Sequence, residues 1–362
     1  MESVKKYGII THYDVHNHGA LLQLYALEQV LQGLGIDAIA LQYDKNYDFL
    51  GHDMKSKYEI SIKSIGIYLK FLRERGVADF VFNYKKRKVL NAFKQKYGLI
   101  GKYYTEYDHL DGIIIGSDEV FALHTGPTPV LFGHGLPSEK VFAYGGSFGP
   151  TTIADIDSTH CRPFVSSGLN SLCGLGMRDQ NSVKIAKELT GREPELVCDP
   201  VILYGYEKEF LNSDRPMVEP YLVVYSYDNR FDDSATEVIS FAKKRGLKIV
   251  SPGFYQKWAD INVNVTPIGL LAWFKYADCV VTNTFHGCVL SILSGREMAI
   301  KIRDNSNKLL NLAQEYRIDD RLFDNVTSLE TVFDNKIDWT TVNNQIISRR
   351  DSSMSYLVRM VE

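Results

Sequence analysis

Short apolar runs alternate with longer stretches of helical spacing along most of this chain. Tyr7 to Thr11 reads as a buried strand, the polar segment His12 to His18 as a loop, Ala20 to Leu34 as an amphipathic helix closed by Gly35, and Ile36 to Leu41 as a second strand. That strand, loop, helix, strand order opens a parallel, doubly wound sheet. The rhythm returns at Asp111 to Ile115, Lys140 to Tyr144, Gly174 to Met177 and Glu195 to Cys198. After a polar stretch from Tyr204 to Pro220, broken by Pro216 and Pro220, a second set begins. Its expected strands are Tyr221 to Tyr225, Leu247 to Val250, Cys279 to Thr282 and Met298 to Ile302. Its expected helices are Ser234 to Arg245, Ile268 to Tyr276, Phe285 to Leu293 and Lys308 to Tyr316. Val342 to Val361 predicts a long closing helix.

The pattern therefore predicts an α/β protein of two Rossmann-like domains, residues 1–204 and 221–340, with the closing helix over 341–362. Tyr47 to Tyr104 departs from the rhythm. It is rich in Lys, Arg, Tyr and Phe, with helical spacing at Ile62 to Arg73 and Asp79 to Tyr97, and reads as a helical insertion in the first domain. Ordinary packing of that helix and a contact with a lipid surface through Phe71, Phe80 and Phe82 are both consistent with it.

Composition narrows the classes. A formal charge of -3 and 45% apolar residues argue for real cores and against a general nucleic-acid binder. The five cysteines are scattered without CxxC spacing, so neither a zinc ribbon nor a redox dithiol is expected. No signal-peptide core precedes Tyr7 and no apolar run is long enough to span a bilayer, so a cytoplasmic protein is expected, working at the inner face of the membrane if the insertion touches lipid.

Candidate chemistry gathers where strands end, because carboxyl ends of parallel strands and helix N-termini converge there. His286, in Thr282-Asn283-Thr284-Phe285-His286-Gly287, sits at such a point and is the first candidate. Lys301, Arg303 and Lys308 follow the next strand and supply positive charge, so an imidazole among cations at a helix end makes an anion site and a proton donor. His12, His16 and His18 crowd one turn, but no further ligand joins them at metal spacing. Asn17 and Gly19 instead let a backbone approach a ligand, with a plain exposed turn as the alternative. Ser117 and Asp118 end one strand, as helix caps or as groups that grip sugar hydroxyls, with Asp118 a candidate base. Ser147 lies in the glycine-rich turn Gly145 to Gly149. Arg178 ends another strand and suits phosphate or carboxylate, with an ion pair to Asp179 or one between the domains as the plainer reading, and Asp199-Pro200 reads as a turn at a domain edge.

Taken in order, Asn17-His18-Gly19-Ala20-Leu21-Leu22-Gln23, Gly116-Ser117-Asp118, Tyr144 to Gly149, Met177-Arg178-Asp179, Asp199-Pro200 and Thr282 to Gly287 resemble the polysaccharide pyruvyl transferase family over roughly residues 5 to 325. The resemblance implies a glycosyltransferase-B-like arrangement, two domains facing across a cleft, the first on the acceptor side and the second on the donor side. It implies transfer of the enolpyruvyl group of phosphoenolpyruvate onto a sugar of a surface or capsular polysaccharide precursor, with phosphate released and no cofactor. The acceptor saccharide is lipid-linked if the insertion meets a membrane. His286 matches the family histidine beside the donor and Arg178 the arginine that holds it. Several family members carry arginine where this chain has Thr284, so Lys301, Arg303 or Lys308 is expected to supply that charge. A nucleotide-sugar glycosyltransferase of the same architecture and a non-catalytic saccharide-binding relative are the alternatives.

Overall fold

The computed structural model describes residues 4–44, 62–125, 128–227, 229–302, 307–324 and 326–362. Arg303 and the start of the insertion, residues 47–61, lie outside them, and so does the side chain of Phe71.

Two parallel sheets carry the fold. The first holds β1 (Lys5–Ile10), β2 (Ile36–Gln42), β3 (Ile100–Tyr103), β4 (Gly112–Ile115), β5 (Val141–Gly146), β6 (Gly174–Met177) and β7 (Glu195–Leu196), in the order β3-β2-β1-β4-β5-β6-β7. The second holds β8 (Tyr221–Tyr225), β9 (Lys248–Pro252), β10 (Ile261–Val263), β11 (Cys279–Thr282), β12 (Met298–Lys301) and β13 (Leu322–Phe323), in the order β10-β9-β8-β11-β12-β13. All pairings are parallel, with Ile9 beside Ile114 and Val281 beside Val224. Helices cover both faces of such a sheet, so its central strands are apolar throughout: β4, β8 and β11 are buried at every residue.

Both sheets reverse their winding once, between β1 and β4 and between β8 and β11. A crevice opens outside the carboxyl ends of the strands at each reversal. The first reversal presents the His12 to Asn17 loop and the Gly116 to Asp118 turn; the second presents Tyr227 and the Asn283-Thr284 turn.

One apolar cluster runs through both halves, joining Leu21, Leu22 and Tyr25 of the helix His18–Gly33 to Leu270, Phe274, Phe285 and Val289 beneath the second sheet. The chain crosses between the halves twice. After the first crossing, through the short helix Glu207–Leu211, the helix Trp339–Val361 carries it back onto the first sheet. There the Tyr356 hydroxyl donates to the Ala143 carbonyl at 2.8 Å, Arg350 Nε to Ile202 O at 2.6 Å, and Lys5 Nζ to Val361 O at 2.8 Å.

The insertion resolves into the span Ile62–Tyr97, broken at Gly76, whose φ of 80° is outside the helical range, and followed by β3. Beyond the break one face is core: Phe82, Leu90 and Phe93 are buried, and Phe82 packs on Tyr255 of the second half at 5.9 Å. Val77, Phe80, Val81 and Tyr84 are exposed, a spacing that places them on one outward stripe, with Lys85, Arg87 and Lys88 exposed beside it.

His18 closes the halves at another point. Its Nε2–H donates to the Val265 carbonyl at 2.8 Å, and Gly253, with φ +79°, lies so near that a Cβ there would fall 2.5 Å from the ring. Burial, with Lys86 nearby, pushes the His18 pKa down to about 3. The unfolded chain binds a proton near pH 6.5 and the folded one does not, so stability is lost as pH falls below 6.5. We expect about 2 kcal/mol less stability at pH 5 from this residue, and none of that loss in His18→Gln. Urea unfolding of both proteins at pH 7 and pH 5 measures it; equal losses would remove His18 as the cause.

Candidate active site

His286 enters the site through local backbone chemistry. Thr284 caps the helix Phe285–Leu293, its Oγ1 accepting from Gly287 N at 2.9 Å, while Thr282 Oγ1 donates to Tyr225 O at 2.7 Å. A Cβ on Gly287 would fall 2.0 Å from Thr282 Oγ1, so the tight turn requires glycine there. Thr284 is thereby committed to the turn, and its hydroxyl also meets Tyr227.

The ring of His286 is buried against the first half of the molecule. Gly19 leaves no side chain beneath it, since a Cβ there would lie 2.2 Å from Nδ1. Gln23 Nε2 is 2.6 Å from His286 Nε2, and Gln23 Oε1 accepts from the Ser117 hydroxyl at 2.5 Å. Asp199 Oδ2 stands 3.9 Å from the same ring nitrogen. Burial pushes the His286 pKa down, opposed by Asp199 and Asp118 and reinforced by Arg178 and Lys308. The ring is therefore neutral near pH 7.

Arg178 is within one side chain's reach of His286 because both face Asp199 Oδ2, which accepts from Arg178 NH1 at 2.9 Å. Its NH2 donates to Asp118 Oδ1 at 3.3 Å, and its guanidinium lies 4.7 Å from the centre of the Phe285 ring. Arg178 thus pairs with Asp199 and Asp118. Asp179 instead caps the helix Gln180–Thr190 and accepts from Ser147 Oγ at 2.6 Å. Asp199 is fully buried, caps the helix Pro200–Tyr204 and sits at the centre of the cluster, which corrects its reading as an edge turn. Burial alone would raise the Asp118 pKa, but Arg178, with His12, His286 and Lys308, holds the carboxyl well below the usual range.

The remaining expected residues divide. Asn283 is buried beside His286 with neither amide atom partnered among the described residues. Asn17 Oδ1 caps the helix His18–Gly33 by accepting from Gly19 N at 2.8 Å, and Asn17 also meets the Tyr227 hydroxyl. Lys308 reaches the cleft, donating to Glu119 Oε1 of the first half at 2.8 Å. Lys301 does not join them: its ammonium stands 5.4 Å from the Phe323 ring centre, towards β13. Ser147 is likewise spent on Asp179 and on Gly149 N, which it accepts from at 2.9 Å, so it braces the turn. Ser117 turns its hydroxyl to Gln23. The three imidazoles of the first loop diverge, His12 donating to Glu119 O at 3.2 Å and His18 to Val265 O.

The profile of the polysaccharide pyruvyl transferase family matches residues 17–300, a span that contains Gln23, Asp118, Arg178, Asp199, Asn283 and His286. The chain belongs to that family. No curated protein sequence matches it. Among solved structures it is similar to UDP-N-acetylglucosamine 2-epimerase from Rickettsia bellii, with TM-score 0.53 and 10% identity over 99% of this chain and 96% of that one. It is also similar to the Methanocaldococcus jannaschii UDP-GlcNAc 2-epimerase in complex with UDP-GlcNAc and UDP, with TM-score 0.50 and 12% identity over 98% of each chain. At such identities the likeness concerns the fold, and the two facing parallel-sheet domains of this pyruvyl transferase family member are glycosyltransferase-B-like.

Sequence reasoning passed over Gln23, Asp199 and Tyr227 as functional groups. Gln23 lies among apolar helix neighbours, and nothing local marks a carboxamide there as facing another domain. Its place in the same motif as Asn17 and Gly19 was the available signal.

Proposed function

We propose that this protein transfers the enolpyruvyl group of phosphoenolpyruvate onto a sugar of a surface polysaccharide precursor, closing a pyruvate ketal and releasing phosphate. The supporting observation is that a family histidine from the reversal of the second sheet meets an arginine and two carboxylates from the carboxyl-end loops of the first sheet.

A proton must reach the methylene carbon of the donor, which becomes a methyl group. One sugar hydroxyl bonds the central carbon, phosphate leaves, and the second hydroxyl closes the ring; of the two hydroxyl protons, one balances the methyl and one the phosphate. His286 is the acid in this reading. Burial favours its neutral form, and a trianion beside it raises its proton affinity, so the imidazolium forms where the donor is bound. Asn283 presents an unpartnered amide to the donor, at a position where leaving it unmet costs about 1–3 kcal/mol. Lys308 turns from Glu119 to the phosphate. Asp118, held so far down, is a weak base, and orients an acceptor hydroxyl as an ionised acceptor of hydrogen bonds.

The test is phosphate release from phosphoenolpyruvate, with simple and lipid-linked galactosides as acceptors and with mass spectrometry of the product. Release without a ketal, or transfer from a nucleotide sugar instead, would end this reading.

The acceptor side has its own expectation. Among the described residues no helix is long and apolar enough to cross a membrane. The outward stripe Val77, Phe80, Val81 and Tyr84, with the cations Lys85, Arg87 and Lys88, suits the surface of an anionic bilayer. Sedimentation with vesicles containing phosphatidylglycerol should pull down the protein, and Phe80→Glu with Tyr84→Glu should abolish it. Equal sedimentation of both proteins would refute the membrane contact.

A further inference from the structure

Among the described residues Gln23 is the neutral side chain that bonds His286 directly, and it does so from the opposite half of the molecule. It is 3% exposed, so water does not compete for its amide. Its two ends are both used, the nitrogen at 2.6 Å from His286 Nε2 and the oxygen accepting from Ser117 Oγ at 2.5 Å. The backbone holds the far end in place, for Thr11 Oγ1 donates to the Ser117 carbonyl at 2.8 Å.

The consequences follow from which atoms can donate. A carboxamide nitrogen only donates, so His286 Nε2 must accept, and a neutral ring then keeps its proton on Nδ1. An imidazolium carries hydrogen on both nitrogens, and two donors cannot face each other at 2.6 Å. The carboxamide must then turn over, so that Oε1 accepts from His286 and the nitrogen donates to Ser117. The Ser117 hydroxyl tolerates both arrangements because it can donate or accept. Met, Leu or Ala at this position offers no partner to either form, and Glu would favour the charged form alone.

We propose that Gln23 is a positioning residue that selects the tautomer of His286, its carboxamide turning over as Nε2 gains or loses a proton and Ser117 reciprocating at the far end. The proton exchanged comes from solvent or donor; Gln23 carries none itself. This rests on the reading of His286 as the acid, but its physical core is testable apart from any reaction. The charged groups facing the ring are Asp199, Asp118, Arg178 and Lys308, and all four stay in place in the variants used.

The experiment is nitrogen NMR of the full-length protein with 15N-labelled histidine, titrated from pH 4.5 to 9, with His286 assigned by its absence in His286→Asn. In the wild type the neutral ring should show the Nδ1–H tautomer. Gln23→Glu should raise the midpoint of His286 by at least one pH unit, since a carboxylate in contact favours the imidazolium. Gln23→Met should lose the tautomer preference, giving averaged nitrogen shifts, and Ser117→Ala should weaken it in the same direction. Thermal unfolding identifies any variant that fails to fold, and Gln23→Glu, isosteric with the wild type, keeps the test alive if Gln23→Met does. An unchanged midpoint in Gln23→Glu, or an Nε2–H tautomer in the wild type, would overturn the proposal. If the NMR outcome holds while no phosphoenolpyruvate chemistry is found, only the proposed reaction fails. If both hold, the basic limb of the turnover profile, where an acid loses its proton, should move with the NMR midpoint in Gln23→Glu.

Discussion

His286→Asn is expected to lower pyruvyl transfer by about 10²- to 10⁴-fold, the range for removing a positioned proton donor, while donor affinity changes much less. Asparagine is the better probe than alanine because it keeps a polar side chain in the buried site, although its amide stops short of the Nε2 position that Gln23 meets. The split between the two effects is the informative part. His286 reaches the other half through Gln23 and faces Asp199 without a hydrogen bond to it, so its loss removes an acid more than a binding contact. Isothermal titration with phosphoenolpyruvate, set beside the rate of phosphate release, measures both. Turnover within a few-fold of wild type, in a variant that unfolds at the wild-type temperature, would take the acid role from His286.

The second large effect concerns Arg178. A guanidinium that served only the donor could be removed at the expense of affinity alone. Here it is buried between two carboxylates, so Arg178→Met strands Asp199, which is fully buried, and frees Asp118 from its main partner. Breaking one side of such a pair costs about 3–5 kcal/mol, because a charge is left buried and unpaired. We therefore expect Arg178→Met to lose stability as well as donor binding. Adding Asp199→Asn should restore a good part of the stability and none of the binding. Urea unfolding of the two single variants and the double variant gives the coupling directly; additive losses would mean that the pair is energetically idle.

How far the sequence carried the reading can be seen at particular residues. Tyr221–Tyr225, Cys279–Thr282 and Phe285–Leu293 were readable to the residue, because a buried parallel strand is an unbroken apolar run and a capped helix announces its start. β3 was not, since Ile100-Gly101-Lys102-Tyr103 occupies a sheet edge and is only partly covered, so nothing forces an apolar pattern on it. β10 and β13 escaped for the same reason, as the outer strands of the second sheet. Within the site, His286 and Arg178 were visible as polar residues at strand ends. Their mutual geometry was not, because Asp199 joins them across the sheet from 21 residues beyond Arg178, and pairing over such a distance leaves no periodic trace. Lys301 illustrates the opposite failure: alternate residues of a strand point to opposite faces, and its ammonium went to Phe323.

The chain passes twice between the two sheets, and this has a chemical consequence. His286 and Asn283 ride on one body; Gln23, Asp118, Arg178 and Asp199 ride on the other. Neither body alone carries both the imidazole and the guanidinium, so the constellation exists only where the two are packed together.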